Sequence, residues 1–234
     1  MKEKTDTSII IPTFQESENL PELIRQIAGL RTQLTPIELI IVDDDSNDGT
    51  EEYITSLNYN WIKLIVRKNQ RGLSSAVIEG FKQAQYSVLV CMDADLSHPV
   101  ETIPQMVEII QQGDVDFVLG SRFIKGGSVD KAWSTARKFN AWMARTIAKY
   151  IINKTDPLSG FFCIKKTTFL SVDFLDPIGY KIGLELMTKC NCKNIVEIPI
   201  HFSERYKGKS KLTLKERFKY LVHISRLLKY KYSR

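Results

Sequence analysis

The chain lacks long hydrophobic runs. No apolar stretch approaches the ~18 residues of a membrane-crossing helix, so no span is expected within these 234 residues. The opening Met-Lys-Glu-Lys runs straight into a short apolar segment, and no signal-peptide core is expected there. Cysteine is scarce, and the four present (Cys91, Cys163, Cys190, Cys192) have no paired Cys-x-x-Cys spacing. This argues against a disulfide scaffold and gives a zinc site little support; the thiols are expected to be reduced, in a cytoplasmic protein. No Gly-x-Gly-x-x-Gly follows the first apolar segment, which argues against a dinucleotide-binding fold, and there is no Walker lysine loop. Internal repeats and low-complexity tracts are missing too.

Acidic residues are nearly absent from the end of the chain. From Lys211 to Arg234 there are eight Lys or Arg and one acid, Glu216, a local charge of +7 in a chain of net +6. The rest therefore sums to −1. A broad basic face for nucleic acid is not expected; a tail that touches an anionic surface is.

What is present reads as one α/β domain. Hydrophobic residues make up 43% and charged residues 26%, a globular balance, and the length suffices for a sizeable core. Short apolar runs at 8–11, 38–42, 62–66, 87–92 and 117–119 alternate with helical patterns at about 20–30, from 50, at 72–85 and at 102–111. The alternation predicts a mostly parallel sheet with helices on both faces. Ser17 is the candidate cap of the first helix. The second half is less regular: a flexible loop at 125–128, a long helix at 133–153, a turn into a strand at 155–162, a helix at 183–190, a strand at 195–200 and a basic loop at 205–211. Residues 212–234 form a basic amphipathic helix with Leu214, Phe218, Leu221, Val222 and Ser225 on one side.

The chain is organised around Val90-Cys91-Met92-Asp93-Ala94-Asp95, where an apolar run ends in two carboxylates two residues apart. Leaving a buried strand, Asp93 and Asp95 fall on the same side. Glu16, the 43–48 loop, Asp93–Asp95 and Arg122 all follow strands and should collect along one sheet edge, where open α/β sheets bind ligands. Two carboxylates this close repel. A hard divalent cation would relieve that and bridge to phosphates; a loop with two solvated aspartates is the alternative.

Six motifs in this order resemble the family 2 glycosyltransferases with the GT-A (Rossmann-like) fold, and within them the dolichyl- or polyprenyl-phosphate mannosyltransferase group. They are Ile11-Pro12-Thr13-Phe14-Gln15-Glu16, the 42–50 run Val-Asp-Asp-Asp-Ser-Asn-Asp-Gly-Thr, Asp93-Ala94-Asp95-Leu96-Ser97-His98-Pro99, Gly120-Ser121-Arg122, the 156–162 run Asp-Pro-Leu-Ser-Gly-Phe-Phe, and the 205–211 run Arg-Tyr-Lys-Gly-Lys-Ser-Lys. The resemblance implies a catalytic domain over 1–211, with 212–234 as an appended helix and not an independent domain. It implies that Pro12, Phe14, Glu16, Val42 and Asp44 hold the nucleotide of the donor. It places Asp93, Ala94 and Asp95 at the metal motif, with Ser97 at the position where some members have a glutamine ligand. Phe14 stands where the family often has tyrosine. Arg122, Arg205 and Lys211 match cations around the phosphates and, with Asp95, are the candidate catalytic residues.

The implied activity is inverting transfer of mannose from GDP-mannose to a dolichyl or polyprenyl monophosphate, with Mg²⁺ or Mn²⁺. A phosphate acceptor, already nucleophilic near pH 7, needs cations more than a base. Arg122, Arg137 and Ser159 are the candidates for holding it, with Lys209 a further cation. UDP-glucose as donor, or a hydroxyl acceptor served by Glu185 as base, are the rival readings, and a non-catalytic binding protein is a third. The Gln-x-x-Arg-Trp motif of processive family members is missing, which argues against polymer synthesis. His98, before Pro99, reads as a loop residue. A lipid acceptor implies a peripheral position on the cytoplasmic face of a membrane, with a small membrane-anchoring subunit as a possible partner and no nucleic acid.

Overall fold

The computed structural model describes residues 6–190, 192–208 and 214–233, without the side chains at 214, 215 and 217. The chain runs β1 (Thr7–Thr13), α1 (Leu20–Gly29), β2 (Ile37–Asp43), α2 (Thr50–Leu57), β3 (Ile62–Val66), α3 (Leu73–Gln83), β4 (Val88–Cys91), α4 (Ile103–Gln111) and β5 (Phe117–Ser121). The second half continues through β6 (Ser128–Val129), α5 (Thr135–Lys149), β7 (Phe162–Lys165), α6 (Lys166–Leu170), α7 (Ile182–Lys189), β8 (Ile195–Pro199), β9 (His201–Phe202) and α8 (Leu214–Tyr232).

Seven strands form the main sheet in the order β3-β2-β1-β4-β7-β5-β8. All neighbours are parallel except β7, which runs antiparallel between β4 and β5. The alternating first half predicts the parallel strands. Strand β7 comes from the irregular half, where α5 leads back to it in the antiparallel sense. The centre of β1, Ile9-Ile10-Ile11, is wholly buried. Such a run belongs to a strand covered on both faces. Ile9 and Ile11 pack with Leu23 and Ile27 of α1 and Met106 and Ile110 of α4. Ile10, on the other face, packs with Val77 and Phe81 of α3 and Leu186 of α7. Gly80 permits the close approach of α3: a Cβ there would lie 2.5 Å from Ile10 Cγ2.

Several boundaries differ from expectation. Asn19, not Ser17, occupies the cap position of α1, with a proline just inside the helix. The long helix of the second half is shorter than its apolar pattern. It starts at Thr135, where the Ser134 side chain accepts from Arg137 N, and stops at Lys149. The expected loop at 125–128 ends in β6, which pairs with β9.

The tail helix packs on the body through Tyr220, Ile224 and Leu227, against Ala148, Ile151 and Leu184. Phe218 and Leu221, expected on its apolar stripe, are exposed. Leu214 of the expected stripe lies outside the described side chains. The helix thus has a buried face, through Tyr220, Ile224 and Leu227, that the expected stripe leaves out, while Phe218 and Leu221 of that stripe form an exposed apolar edge.

Candidate active site

The chain leaves β1 towards β2 and leaves the neighbouring β4 towards β5, in opposite directions across the sheet, and a crevice opens beyond the strand ends between them. Thr13 ends β1 and pairs in register with Asp43, the last residue of β2. Asp93 follows two residues after the end of β4. The sequence clusters therefore meet at one edge, as expected.

Asp43 braces the first wall. Its carboxylate accepts from Thr13 Oγ1 at 2.8 Å, Ser46 N at 2.8 Å and Ser46 Oγ at 2.6 Å. Gln15 N in turn donates to Ser46 Oγ at 2.8 Å, fastening the loop after β1 to the loop after β2. Gly49 occupies the cap position of α2, and Asp48 just before it accepts from Thr50 N and Oγ1. Asp44 is buried and pairs with the equally buried Arg67, accepting from Nε at 2.7 Å and from Nη2. Its other oxygen accepts from Gly72 N at 2.8 Å. Asp44 thus fixes the 67–72 loop, whose Arg71 guanidinium lies 4.4 Å from the Phe14 ring centre. The two are in cation–π contact, and the pair as a unit offers one stacking surface beside the crevice. Val42 and Ala94 are buried in the core; anything they offer a ligand comes from the main chain. Pro12 and Glu16 are partly buried at the crevice mouth. Glu16, with Asn19, Asp48 and Lys207, lines a cavity of about 220 Å³.

The two aspartates of the central motif are held differently. The Asp93 side chain is about one-third exposed. Its backbone N donates to His98 Nδ1 at 3.1 Å, which leaves Nε2 to carry the proton, 3.9 Å from Asp93 Oδ2. Burial holds His98 below its ordinary value, against the pull of Asp93 and Asp95, so the ring is neutral at pH 7. His98 is a structural loop residue as expected, and also the group that orients Asp93. Asp95 is buried. Its Oδ1 accepts from Ser97 N at 3.1 Å and Ser97 Oγ at 2.5 Å, and its Oδ2 faces Arg205 Nε at 3.1 Å. Between them Leu96 adopts φ +61°, a conformation a bulky side chain seldom takes, and this turns the loop back on Asp95. Among the described residues no three His, Cys, Asp or Glu side chains cluster to hold a metal. The donor set of Asp93 and Asp95 still fits a hard cation such as Mg²⁺, which takes one or two carboxylates and fills its shell with water and phosphate oxygens. The positive partner already at Asp95 Oδ2 supports that fit. The Ser97 hydroxyl points its proton at Asp95 and orients it.

Three arginines surround this loop. Arg122 gives two guanidinium nitrogens to the buried Asp156. Arg137 lies over the Trp133 ring at 3.9 Å, with Glu204 3.9 Å away. Burial lowers its pKa, and Arg205 and Arg122 contribute by repulsion. Arg205 and Tyr206 sit on a segment tied to the central motif, Ser203 N donating to Ser97 O and Tyr206 N to Asp95 O. Ser159 is buried and its Oγ accepts from Phe161 N at 3.3 Å. Lys209 and Lys211 lie outside the described residues. Glu185, the candidate base, is buried between Lys189 Nζ at 2.6 Å and His223 at 3.4 Å, and accepts from Asp176 N. Its carboxyl, pushed up by burial, is pulled below the ordinary range by those partners. It ties α7 to α8.

Sequence reasoning missed three residues of the site. Arg67 gave no signal, because its partner Asp44 is 23 positions away. Glu197 accepts from the backbone N of Thr155 and Asp156, fixing the loop that carries Asp156. Lys181 donates to Leu158 O at 2.7 Å within the field of Asp93, Asp156 and Arg122.

Comparison with known proteins agrees with this geometry. The model of "Glycosyl transferase family 2" matches residues 8–179. A dolichol-phosphate mannosyltransferase of Pyrococcus furiosus is 43% identical over 95% of this chain, which spans 64% of that relative's length. The namesake proteins of Mycosarcoma maydis and Saccharomyces cerevisiae are each 39% identical over 96% of this chain, and 80% and 88% of their own lengths are covered. A solved structure of glucosyl-3-phosphoglycerate synthase from Mycobacterium tuberculosis, in complex with Mn²⁺, UDP-glucose and phosphoglyceric acid, superposes with TM-score 0.71. It covers 97% of this chain and 79% of its own, and at 16% identity it shows a shared fold. A family model matching most of its length, with relatives near 40% identity over nearly all of it, makes the chain a member of glycosyl transferase family 2.

Proposed function

We propose that the chain transfers mannose from GDP-mannose to a polyprenyl monophosphate, with inversion at the anomeric carbon, on the cytoplasmic surface of a membrane. The observation that carries this reading is the ring of Arg122, Arg137 and Arg205 around the buried Asp95, in a chain whose relatives are named for this transfer. Two phosphorylated substrates must meet here against their mutual repulsion, and arginine matches phosphate oxygens through its fork.

The stacked Phe14–Arg71 pair offers one surface to the nucleobase, and Asp44 holds the loop that carries Arg71. Asp93 and Asp95 would hold the cation, which when bound supplies neutralisation of the charge developing on the diphosphate. By the motif resemblance Arg205 and Lys211 would serve the diphosphate, and Arg122, Arg137 and Ser159 the acceptor. An acceptor phosphate oxygen attacks the anomeric carbon from the face opposite the leaving group. The new C–O bond forms as the bond to the GDP β-phosphate oxygen breaks, and GDP departs with the electron pair. The acceptor phosphate has a second pKa of about 6 and gives up no proton in the step, so no base is required. The engagement of Glu185 by Lys189 and His223 supports this over a hydroxyl acceptor.

The lipid acceptor requires a membrane surface. Among the described residues no helix is long and apolar enough to cross one. Phe139, Trp142 and Met143 of α5 and Phe218 and Leu221 of α8 are exposed apolar side chains beside basic ones, a composition that suits an anionic bilayer interface. A small membrane subunit could share that anchoring. The test is transfer of labelled mannose from GDP-mannose to a polyprenyl phosphate in detergent with Mg²⁺ or Mn²⁺, with UDP-glucose in parallel. Label entering the lipid phase from GDP-mannose, as a β-linked product, is expected. Label from UDP-glucose alone, or a retained anomer, overturns the reading.

A further inference from the structure

Asp95 presents a problem that Arg205 solves. Its side chain is 4% exposed, and a buried carboxylate without a counter-charge is strongly unfavourable. Ser97 satisfies one oxygen with two hydrogen bonds; the other pairs, among the described residues, with the Arg205 guanidinium through Nε at 3.1 Å. Arg122 and Arg67 make a different kind of pair. Each engages its aspartate through two guanidinium nitrogens, and their side chains are 14% and 5% exposed. Arg205 is 32% exposed. Its segment is stapled to the central motif by backbone bonds from Ser203 and Tyr206, which do not involve its side chain. The guanidinium can therefore leave Asp95 while the segment stays in place. Arg137 lies close enough for the two guanidinium groups to repel.

We propose that Arg205 is the resident counter-cation of Asp95, and that it yields this carboxylate to a divalent cation and turns to the phosphate oxygens of the bound donor. The proposal rests on the reading of Asp93 and Asp95 as a cation site, and deepens it. One positive charge serves two partners in turn. It keeps Asp95 neutralised and oriented before substrate arrives, and it is released where a diphosphate needs it. Cation and nucleotide then bind with positive coupling: the cation frees Arg205, and the phosphates give Arg205 a new partner and so lessen its competition for Asp95. Arg205 is in this respect a positioning residue for the cation, acting through Asp95.

The test is a titration of the full chain with Mn²⁺ alone, followed by the paramagnetic resonance signal of the free ion, and repeated with GDP. Removing the competitor must tighten binding, an outcome that a damaged fold does not produce. Arg205→Gln is expected to bind Mn²⁺ without nucleotide about tenfold more tightly than the unaltered chain, a change of about 1.4 kcal/mol. The enhancement by GDP is expected to shrink in that variant. Arg137→Gln removes a nearby cation that does not touch Asp95, and is expected to change Mn²⁺ affinity by about twofold or less. Equal or weaker binding by Arg205→Gln overturns the proposal. So does an equal gain in Arg137→Gln, which would reveal only the general field, and so does failure of every form to bind Mn²⁺. A chain that transfers mannose while Arg205→Gln shows no gain loses the exchange and keeps the transferase reading; a gain without mannosyl transfer does the reverse.

Discussion

Asp156, wholly buried beneath the cleft, accepts three hydrogen bonds from Arg122: from its backbone N at 3.0 Å, from Nε at 2.7 Å and from Nη2 at 2.8 Å. Burial pushes the Asp156 carboxyl up, and the Arg122 bonds outweigh it, leaving it below the ordinary carboxylate value. It therefore contributes stability that is present above the unfolded value of about 3.9 and is lost as pH falls through its own lower one. Arg122→Ala leaves a buried charge unpaired and should destabilise by about 3–5 kcal/mol at pH 7. In that variant the unpaired carboxyl takes up a proton more readily than in the unfolded chain, so the deficit should narrow as pH falls from 7 towards 4. Urea unfolding midpoints at several pH values check both statements. A deficit that is small or independent of pH would mean that the pair does not hold the loop.

The Gly80 contact gives a second stability prediction. A methyl group there would stand 2.5 Å from Ile10 Cγ2 and 3.1 Å from Val42 Cγ2, both in buried strands that lead to the cleft. Helix propensity favours alanine over glycine by about 1 kcal/mol, but overpacking a close-packed core costs about 1–3 kcal/mol. The clash should win, and Gly80→Ala should lower the thermal midpoint. A raised midpoint would show that α3 can shift outward at no cost.

The fold was legible where the chain repeats one physical situation. Each buried parallel strand is a short apolar run, and each ends in a polar residue at the same edge, so Asp43, Asp93 and Arg122 could be placed before any coordinates. What failed was anything settled by a distant partner. Asp44 reads as a ligand contact, yet its carboxylate is taken by Arg67 and Gly72 N, which no local pattern couples to it. Glu185 reads as a helical carboxylate of open role, and α8, arriving late in sequence, supplies the His223 that encloses it. The tail helix carries a second apolar face, Tyr220, Ile224 and Leu227, which is buried against Ala148, Ile151 and Leu184, and the expected stripe does not include it.

Ser97 should matter through Asp95. Its backbone N and hydroxyl both donate to Asp95 Oδ1 and fix the direction of the other oxygen. Groups that orient a metal-binding carboxylate typically contribute 10–100-fold to affinity or activity. Ser97→Ala is therefore expected to lower mannosyl transfer by about that factor, and higher Mn²⁺ should restore part of the loss. Ser97→Thr, which keeps the hydroxyl, should retain more activity than Ser97→Ala. Equal losses in the two variants would assign the effect to packing.

Lys181 makes a pH prediction of the same sign in an alkaline window. Burial first and the Arg122 guanidinium second hold it down to about 8, against the pull of Asp93 and Asp156. The unfolded chain keeps that proton until about pH 10.4. Between pH 8 and 10 the unfolded state binds more protons, so this group's contribution to stability rises with pH; below pH 8 both states are protonated and it is constant. Against Lys181→Met, the unaltered chain should gain on the order of 1–2 kcal/mol from pH 7.5 to 10. Paired urea titrations measure the difference, and a gap that stays constant would return Lys181 to an ordinary lysine.

Trp142 offers a direct reading of membrane contact. Of the three tryptophans, Trp61 and Trp133 are buried, while Trp142 is 54% exposed on α5 beside Phe139, 5.8 Å ring to ring. A surface aromatic pair of this kind, close to a basic tail helix, should partition into the headgroup region of an anionic bilayer. Vesicles containing anionic lipid are expected to shift the emission of the unaltered chain to shorter wavelength, since only Trp142 has solvent to lose. Neutral vesicles or high salt should weaken the shift, because attraction between the basic helix and the surface is screened. Trp142→Ser should abolish it and, together with Phe139→Ser, lower vesicle binding by tenfold or more, the apolar area of two aromatic rings being withdrawn. Transfer to a short, water-soluble polyprenyl phosphate should persist in the double variant while transfer to acceptor in vesicles falls. A spectrum unchanged by anionic vesicles would place the lipid-facing surface elsewhere on the molecule.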